Sequence, residues 1–273
     1  MLDAVCGGVP TYLRHFGQGD AQGLALHCSL AHSGAWAGLA ACLPGLAITA
    51  PDLLGHGRSG DWDGRGDFHS TSTRQAMGVL AQMPEGPVHL IGHSFGATVA
   101  LRIALETPER IASLILFEPV LFCAARAAGG PAFGNHLAAH ADFAAALALG
   151  DVARAAEAFL AIWGRGESFA DLPESQRSYL TQRIHLIAAQ DAALLEDAAG
   201  MLAYGRLEGL GVPVLLAEGE ASPPVIDAVN TELARRLPQV TRARVQGAGH
   251  MLPITHAAEC AAVVNGFLNR ERR

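Results

Sequence analysis

The sequence predicts an α/β fold, in which a mostly parallel central sheet is flanked by helices and interrupted by a helical insertion. Short apolar runs separated by turn residues are typical of strands buried on both faces of a parallel sheet. Such runs occupy residues 24–28, 46–50, 88–91, 111–117 and 212–217. Helical patterns alternate with them, notably over residues 95–106, which end before Pro108. This alternation over the first 118 residues indicates one sheet with helices packed against it.

From about residue 122 to 205 the composition changes to alanine-rich helical segments with almost no strand-like run. Asp151 is predicted to cap a helix that ends at Gly164, and residues 172–174, Leu-Pro-Glu, predict the start of another. Strand-like sequence resumes at Val212. We therefore predict a sheet body interrupted by one helical insertion.

The composition is that of a globular protein with ample material for a core. Half of the 273 residues are hydrophobic and 16% are charged. The 19 basic residues are all arginine, against 26 acidic residues, which gives a net charge of -7. Because no basic stripe stands out, we predict no nucleic-acid partner. The absence of lysine from the sequence excludes a Schiff-base or Ser-Lys mechanism.

The spacing of the cysteines indicates whether disulfides or a zinc site are expected, and the N-terminal sequence indicates the cellular location. The five cysteines are scattered and include no Cys-x-x-Cys pair, so we predict neither a disulfide framework nor a zinc site. The start, MLDAVCGGVPTYLRHFG, lacks the basic and then apolar order of a signal peptide, and no apolar run reaches the length of a membrane span. We expect a cytoplasmic protein that needs no metal or other cofactor and binds no membrane.

A candidate nucleophile, Ser94, lies between Gly92 and Gly96 where a predicted strand becomes a helix. A serine hydroxyl is a weak nucleophile, so it must be exposed on a sharp turn and placed beside a base. Glycines two residues before and after the serine permit that turn and the close approach of strand and helix. The strand and helix on either side favour a nucleophilic serine over an ordinary glycine-rich turn.

Several separate stretches resemble the α/β-hydrolase family, and together they cover nearly the whole chain. They are LALHCSLAHSGAW at 24–36, PDLLGHGRSG at 51–60, GHSFGATVAL at 92–101 and GAGHMLPITHAAECAAVV at 247–264. The resemblance implies an α/β-hydrolase core domain over residues 1–121 and 206–273, with residues 122–205 forming a helical cap over the catalytic face. It also implies the chain order serine, acid, histidine.

That order places the catalytic base near the end of the sequence. His250 follows Gly247-Ala248-Gly249 and a strand-like segment, 242–246, and we predict that it is the base. Most histidines serve other purposes, and His93, although next to Ser94 in sequence, must leave the turn in another direction. We interpret His93 as a support for the turn.

The triad acid is not where the resemblance leads one to look for it. Ser222 occupies the expected aspartate position, and a hydroxyl cannot stabilise an imidazolium as a carboxylate does. Three carboxylates could replace it. Glu220 is two residues early, and Asp227 lies in the next predicted helix, where it suits the first turn.

Glu118 is the third candidate and our prediction. It emerges at the carboxyl end of the predicted strand 111–117, where parallel sheets place their sites, and some family members resemble this arrangement. A charge directly after an apolar run is costly unless it is paired or functional. The alternative is that Glu118 is structural and that Ser94 and His250 act as a dyad.

An oxyanion hole requires two backbone N–H donors. Phe95, the residue after the nucleophile, supplies one, and the resemblance places the second at Ser29, with Leu30 less favoured. Cys28 stands where most family members have glycine, which leaves the shape of this loop open. Cys28 as a nucleophile is less favoured than Cys28 as a buried small side chain.

Two further groups of residues have a structural and a functional interpretation. Asp52, within the turn-forming set 52–58, suits a structural support better than a nucleophile, because Ser94 occupies the nucleophile position. Aromatic side chains of the insertion are candidates for the wall of an acyl pocket, although helix packing explains most of them equally well. They are Phe133, Phe143, Phe159, Trp163 and Phe169, with Trp36 and Trp62 similarly ambiguous outside it.

The sequence therefore predicts a serine hydrolase that cleaves a small-molecule ester, thioester or lactone through an acyl-enzyme. Its partner is a small acyl substrate. Within enzymes, carbon–carbon bond hydrolysis and cofactor-free perhydrolysis are alternatives, because the same turn serves those reactions. Ser222 and Cys28 also leave open a protein of another class, which keeps the hydrolase body but serves as a non-catalytic ligand-binding or signalling module.

Overall fold

A computed structural model describes residues 4–271 and contains the predicted α/β fold. The predicted domain ends at residues 1 and 273 lie outside this range. So do the first three residues of the N-terminal stretch that we predicted not to be a signal peptide. The strands are β1 Ala4–Cys6, β2 Val9–Thr11, β3 Leu13–Phe16, β4 Ala21–Leu26, β5 Leu46–Pro51, β6 Val88–His93, β7 Ile111–Phe117, β8 Val214–Gly219 and β9 Val240–Val245.

Seven of these strands form one sheet in the order β3-β5-β4-β6-β7-β8-β9. β3 pairs with β5 in the antiparallel direction, and the other neighbours are parallel. β1 and β2 form a separate antiparallel pair. Because β4, β6, β7, β8 and β9 all run in one direction, their carboxyl ends meet at one edge of the sheet, where such folds place their sites.

Helices cover both faces of the sheet. The α-helices are α1 Ala37–Ala41, α2 Phe68–Leu80, α3 Phe95–Glu106, α4 Phe122–Ala128, α5 Ala132–Ala139, α6 Ala141–Ala148, α7 Val152–Trp163, α8 Glu174–Arg183, α9 His185–Ala188, α10 Asp191–Leu194, α11 Pro224–Arg236, α12 Leu252–Thr255 and α13 Ala257–Glu271. Side chains that alternate along a strand enter opposite layers of the core. In β7, Leu114 and Leu116 pack with α2, α3 and α11, whereas Ile115 and Phe117 pack with α1 and α13.

Between β7 and β8 the chain forms α4 to α10, with no strand among these described residues. α7 begins after Asp151, whose carboxylate accepts a hydrogen bond from Arg154 N, and it ends before Gly164, as the sequence predicts. A separate buried cluster within this segment includes Phe143, Leu180 and Ile184. α4 instead packs with α11 against the main core. The division at residues 122 and 205 stays a prediction.

In the part of the chain that the structure describes, no helix is both long and apolar enough to cross a membrane.

Candidate active site

Ser94 lies on a sharp turn between β6 and α3. Its φ of 55° and ψ of −118° lie outside the regions that most residues adopt, which is a strained conformation typical of a functional position. A Cβ on Gly92 would lie 2.5 Å from Ala97 Cα, and one on Gly96 would lie 2.2 Å from Leu26 O. Both glycines are therefore required by close approach of the backbone, and Ser94 N donates to Phe117 O at 2.9 Å to tie the turn to β7.

His250 joins Ser94 to Glu118. Its ring lies in the loop after β9, with Nε2 3.0 Å from Ser94 Oγ and Nδ1 2.6 Å from Glu118 Oε2. All three residues are buried, with exposed fractions of 7% for Ser94, 5% for His250 and 0% for Glu118. A carboxylate only accepts, so Nδ1 carries the proton and Nε2 is left to accept from the Ser94 hydroxyl. The structure thus brings the serine, the histidine and the glutamate named from the sequence into one hydrogen-bonded chain.

Glu118 is held at the end of β7 by contacts on both sides of its carboxylate. Its backbone adopts φ 49°, and its N–H donates to Ala217 O at 2.9 Å. Oε1, the oxygen that does not contact His250, accepts from Gly219 N at 2.7 Å and from the Ser222 hydroxyl. Ser222 therefore stands beside the carboxylate rather than in place of it.

The two other candidate acids have different partners. Glu220 Oε2 accepts from Gly247 N at 2.9 Å. Asp227 lies in the first turn of α11 and pairs with Arg242 at 2.8 Å and with Arg244 at 3.5 Å. Glu118 is the carboxylate that reaches the His250 ring.

His93 contacts the histidine loop in addition to the turn. Its ring nitrogen Nε2 donates to the backbone oxygen of His250 at 2.8 Å, and the two rings lie 5.1 Å apart. Burial lowers the pKa of His93 to about 3, so the ring is neutral. Because a carbonyl oxygen only accepts, the proton of this neutral ring lies on Nε2. A neutral ring at this position adds no charge beside His250.

The loop after β4 carries the second predicted oxyanion donor. His27 fixes this loop, because Nδ1 donates to Cys28 O at 2.7 Å while Nε2 accepts from Leu53 N at 2.9 Å. Burial raises the pKa of Cys28 to about 12, which makes it a packed thiol rather than a thiolate. The left-handed backbone of the loop lies at Leu30, with φ 60°. The Ser29 hydroxyl donates to Gln190 Oε1 at 3.0 Å.

Asp52 supports a turn. Oδ1 accepts from Ser33 N at 2.7 Å and Oδ2 accepts from Arg58 N at 2.8 Å. Burial alone would raise the pKa of Asp52, but these hydrogen bonds outweigh it and hold the pKa below its usual range. Gly57 is required beside it, since a Cβ there would lie 2.0 Å from Asp52 Oδ2.

Ser94 and His250 open into a mostly apolar cavity of about 180 Å³, which we call the serine cavity. Phe143, Phe159 and Trp163, three of the candidate cap aromatics, contribute to its wall. Phe133 instead packs under Arg126, and Phe169 packs within the cluster of the insertion. The complete lining is Ser29, Ser94, Val120, Phe122, His136, Leu137, His140, Ala141, Phe143, Ala144, Phe159, Trp163, Ile187, Gln190, Asp191, Leu194, Leu195 and His250.

Some residues of this cavity were missed by the sequence analysis. His136, His140 and Gln190 come from short alanine-rich helices or from the residues that join them. His136 and His140 are four residues apart, a spacing that puts two side chains on one helix face. That spacing is the sequence feature from which His136 and His140 could have been predicted to lie together. Trp36 is buried in the core and Trp62 packs against Phe68, so neither belongs to the wall of the serine cavity.

Comparison with known proteins shows the family of this chain. A family model described as the alpha/beta hydrolase fold matches residues 24–257. The chain belongs to the α/β hydrolase fold family. This α/β hydrolase is 30% identical over 272 residues to the pimeloyl-(acyl-carrier protein) methyl ester esterase of Aeromonas hydrophila, a match that covers 94% of this chain and 98% of that protein.

Two further relatives place this α/β hydrolase among enzymes. Lipase LipV of Mycobacterium tuberculosis is 36% identical over 114 residues, which are 41% of this chain and 43% of LipV. The solved thioesterase domain from the curacin biosynthetic pathway is 27% identical with a TM-score of 0.62, and the match covers 95% of this chain and 96% of that domain. The family and its relatives support a hydrolytic enzyme.

Proposed function

We propose that the protein is a serine hydrolase that cleaves small esters or thioesters through an acyl-enzyme on Ser94. One observation carries the proposal. The His250 ring lies between Ser94 Oγ at 3.0 Å and Glu118 Oε2 at 2.6 Å, with the tautomer that general-base catalysis needs.

In the first half of the reaction, Ser94 Oγ attacks the substrate carbonyl carbon while His250 Nε2 takes the hydroxyl proton. Glu118 accepts the hydrogen bond from Nδ1–H and stabilises the imidazolium that forms. The tetrahedral intermediate then collapses, the bond to the leaving group breaks, and Nε2–H gives its proton to the departing oxygen or sulfur. In the second half, water attacks the acyl carbon, Nε2 takes the water's proton and returns it to Ser94 Oγ, and the free acid leaves.

The N–H groups of Phe95 and Ser29 are the proposed oxyanion donors. Phe95 is the first residue of α3, so its N–H has no partner within the helix. Ser29 lies in the wall of the serine cavity with Ser94. Each such donor contributes about 3 kcal/mol of transition-state stabilisation.

The acyl group of the substrate is proposed to lie in the serine cavity, beneath a cap formed by residues 122–205. Its wall includes the apolar side chains of Val120, Phe122, Phe143 and Leu194, which suit an alkyl or aryl group. The esterase and thioesterase activities named for the relatives agree with this chemistry. The cytoplasmic location stays a prediction from the sequence.

A fluorophosphonate probe tests the nucleophile, because it reacts covalently with an activated serine. We expect labelling of the wild-type protein, none of Ser94→Ala, and full labelling of Ser178→Ala, which changes an exposed serine on α8. Hydrolysis of p-nitrophenyl esters and of acyl thioesters should be lost in Ser94→Ala alone. A folded wild-type protein that neither takes the probe nor turns over any substrate of the panel would contradict the proposal and favour a binding module.

A further inference from the structure

Trp163 lines both the serine cavity and a second cavity. The second cavity, of about 500 Å³, is lined by residues of the loop after β4, of α7 and α8, and of α12, and we call it the outer cavity. Its rim carries the exposed side chains of Arg165 and Glu167. Among the described residues, Ser29, Phe159 and Trp163 line both cavities. Trp163 is the largest of the three, and it is the one whose ring contacts His250.

The indole of Trp163 also contacts the proposed catalytic base. Its ring centroid lies 4.5 Å from that of His250, with the rings inclined at 66°. Trp163 is 5% exposed. A shift of this side chain would therefore change the wall of the serine cavity next to the position where the acyl carbon bonds to Ser94.

His140 fixes the indole. Trp163 Nε1 donates to His140 Nε2 at 2.6 Å, and His140 Nδ1 lies 3.0 Å from His136 O. A carbonyl oxygen only accepts, so the His140 proton lies on Nδ1, which leaves Nε2 to accept from the indole N–H. Both ring nitrogens of His140 are thus used, and each partner permits the same tautomer. The ring centroids of His136 and His140 lie 4.2 Å apart, with the rings inclined at 52°.

We propose that Trp163, positioned by His140, is the specificity-determining residue that limits the length of the acyl chain. The inference rests on the proposed acyl-enzyme at Ser94. The acyl group stays bonded to Ser94 Oγ after the leaving group has gone, so it must lie in the cavity that Ser94 lines. The outer cavity contains neither Ser94 nor His250 in its wall. A chain that extends toward the outer cavity therefore meets the Trp163 indole.

Replacing Trp163 with alanine removes the largest side chain from the walls of both cavities. We expect Trp163→Ala to raise kcat/KM for p-nitrophenyl esters of long acyl chains relative to short ones by about tenfold or more, since each methylene accommodated in a pocket changes discrimination by about that factor. A series of acetyl esters with alcohols of increasing length should show no such shift. Phe169→Ala removes an aromatic side chain that packs in the same segment but lines neither cavity, so its acyl-length profile should match that of the wild-type protein.

The role of His140 is tested by two variants of similar size. His140→Phe keeps a flat ring but removes the acceptor of the indole N–H, and we expect it to shift the acyl-length profile in the direction of Trp163→Ala. His140→Gln offers an amide oxygen as acceptor, and it should retain the wild-type profile. A general effect on folding would appear in both variants. A wild-type acyl-length profile in His140→Gln, with a shifted profile in His140→Phe, therefore indicates that His140 positions the indole.

Fluorophosphonate titration of active sites normalises every rate to folded, competent protein. Probe-competent Trp163→Ala and His140→Phe that keep the wild-type acyl profile would overturn the inference while leaving the proposed function intact. A shift confined to the alcohol series would overturn the placement of the acyl chain. Should Trp163→Ala fail to fold, His140→Phe against His140→Gln decides the question alone. A wild-type protein without probe labelling at Ser94 would overturn both proposals.

Discussion

The hydroxyl of Ser222 donates a hydrogen bond to the same Glu118 carboxylate whose other oxygen receives His250 Nδ1–H. Ser222 follows β8 at the position where the family resemblance leads one to expect the acid. The carboxylate comes instead from the end of β7, and the residue after β8 supports it. Because β7 and β8 are neighbours in the sheet, we expect an acid from either strand end to reach the same place beside the histidine.

Glu118→Gln should lower kcat by about three to four orders of magnitude, because an amide neither stabilises the imidazolium nor holds Nδ1–H as a carboxylate does. Steady-state kinetics on a p-nitrophenyl ester measures the loss. Glu220→Gln and Asp227→Asn change carboxylates that contact a loop amide and surface arginines, and they should keep nearly full activity. Equal losses in either control would transfer the role of the acid away from Glu118.

Because the ends of β7 and β8 are neighbours, we expect that the triad acid can be moved from position 118 to position 222. Starting from Glu118→Ala, we expect the added change Ser222→Asp to restore kcat by about tenfold, or about 1.4 kcal/mol of transition-state free energy. Ser222→Asn in the same background is the matched control, since it has the size of aspartate without its charge. If aspartate and asparagine give the same rate, the end of β8 does not offer a workable position for the acid.

The ends of helices and strands could be predicted from the sequence where a residue at the end itself stops the element. β7 ends where apolar residues give way to Glu118, and α3 ends before Pro108, so both have the predicted bounds. β8 begins at Val214, two residues later than predicted, because Pro213 has no N–H to give to a sheet. The short strands β1 to β3 were missed, since a few mixed residues give no clear period.

The serine cavity could be predicted only in part, for a related reason. Ser94 and His250 lie in glycine-flanked turns that leave a pattern in the sequence. The contact of Trp163 with His250, and that of His140 with Trp163, depends on how α5, α6 and α7 pack over the sheet. Alanine-rich helices carry little information about which face meets which neighbour, so these contacts have no sequence signature.

His93 should position the loop that carries His250. In His93→Leu the backbone oxygen of His250 loses its buried donor, and we expect kcat to fall about tenfold, or about 1.4 kcal/mol, with a smaller change in KM. His93→Gln offers an amide N–H in a similar place and should recover most of the rate. If kcat of His93→Gln is as low as that of His93→Leu, the role of His93 is packing of the turn alone.

Because it buries several histidines, we expect the protein to lose free energy of unfolding in mild acid. Burial lowers the pKa of His27 and His69 to about 4 and that of His56, His93 and His136 to about 3. In the unfolded chain these rings take up protons near a pKa of about 6.5. Between about pH 6.5 and 4 the unfolded state therefore binds more protons than the folded state, and the free energy of unfolding must fall as the pH falls.

Urea denaturation at pH 7, 6, 5 and 4.5 measures this slope, to which each buried ring contributes at most about 1.4 kcal/mol per pH unit. We expect His93→Gln to reduce the loss of stability in acid, since glutamine takes up no proton in the unfolded chain. A free energy of unfolding that stays level from pH 7 to 4.5 would mean that these rings remain accessible to protons in the folded protein.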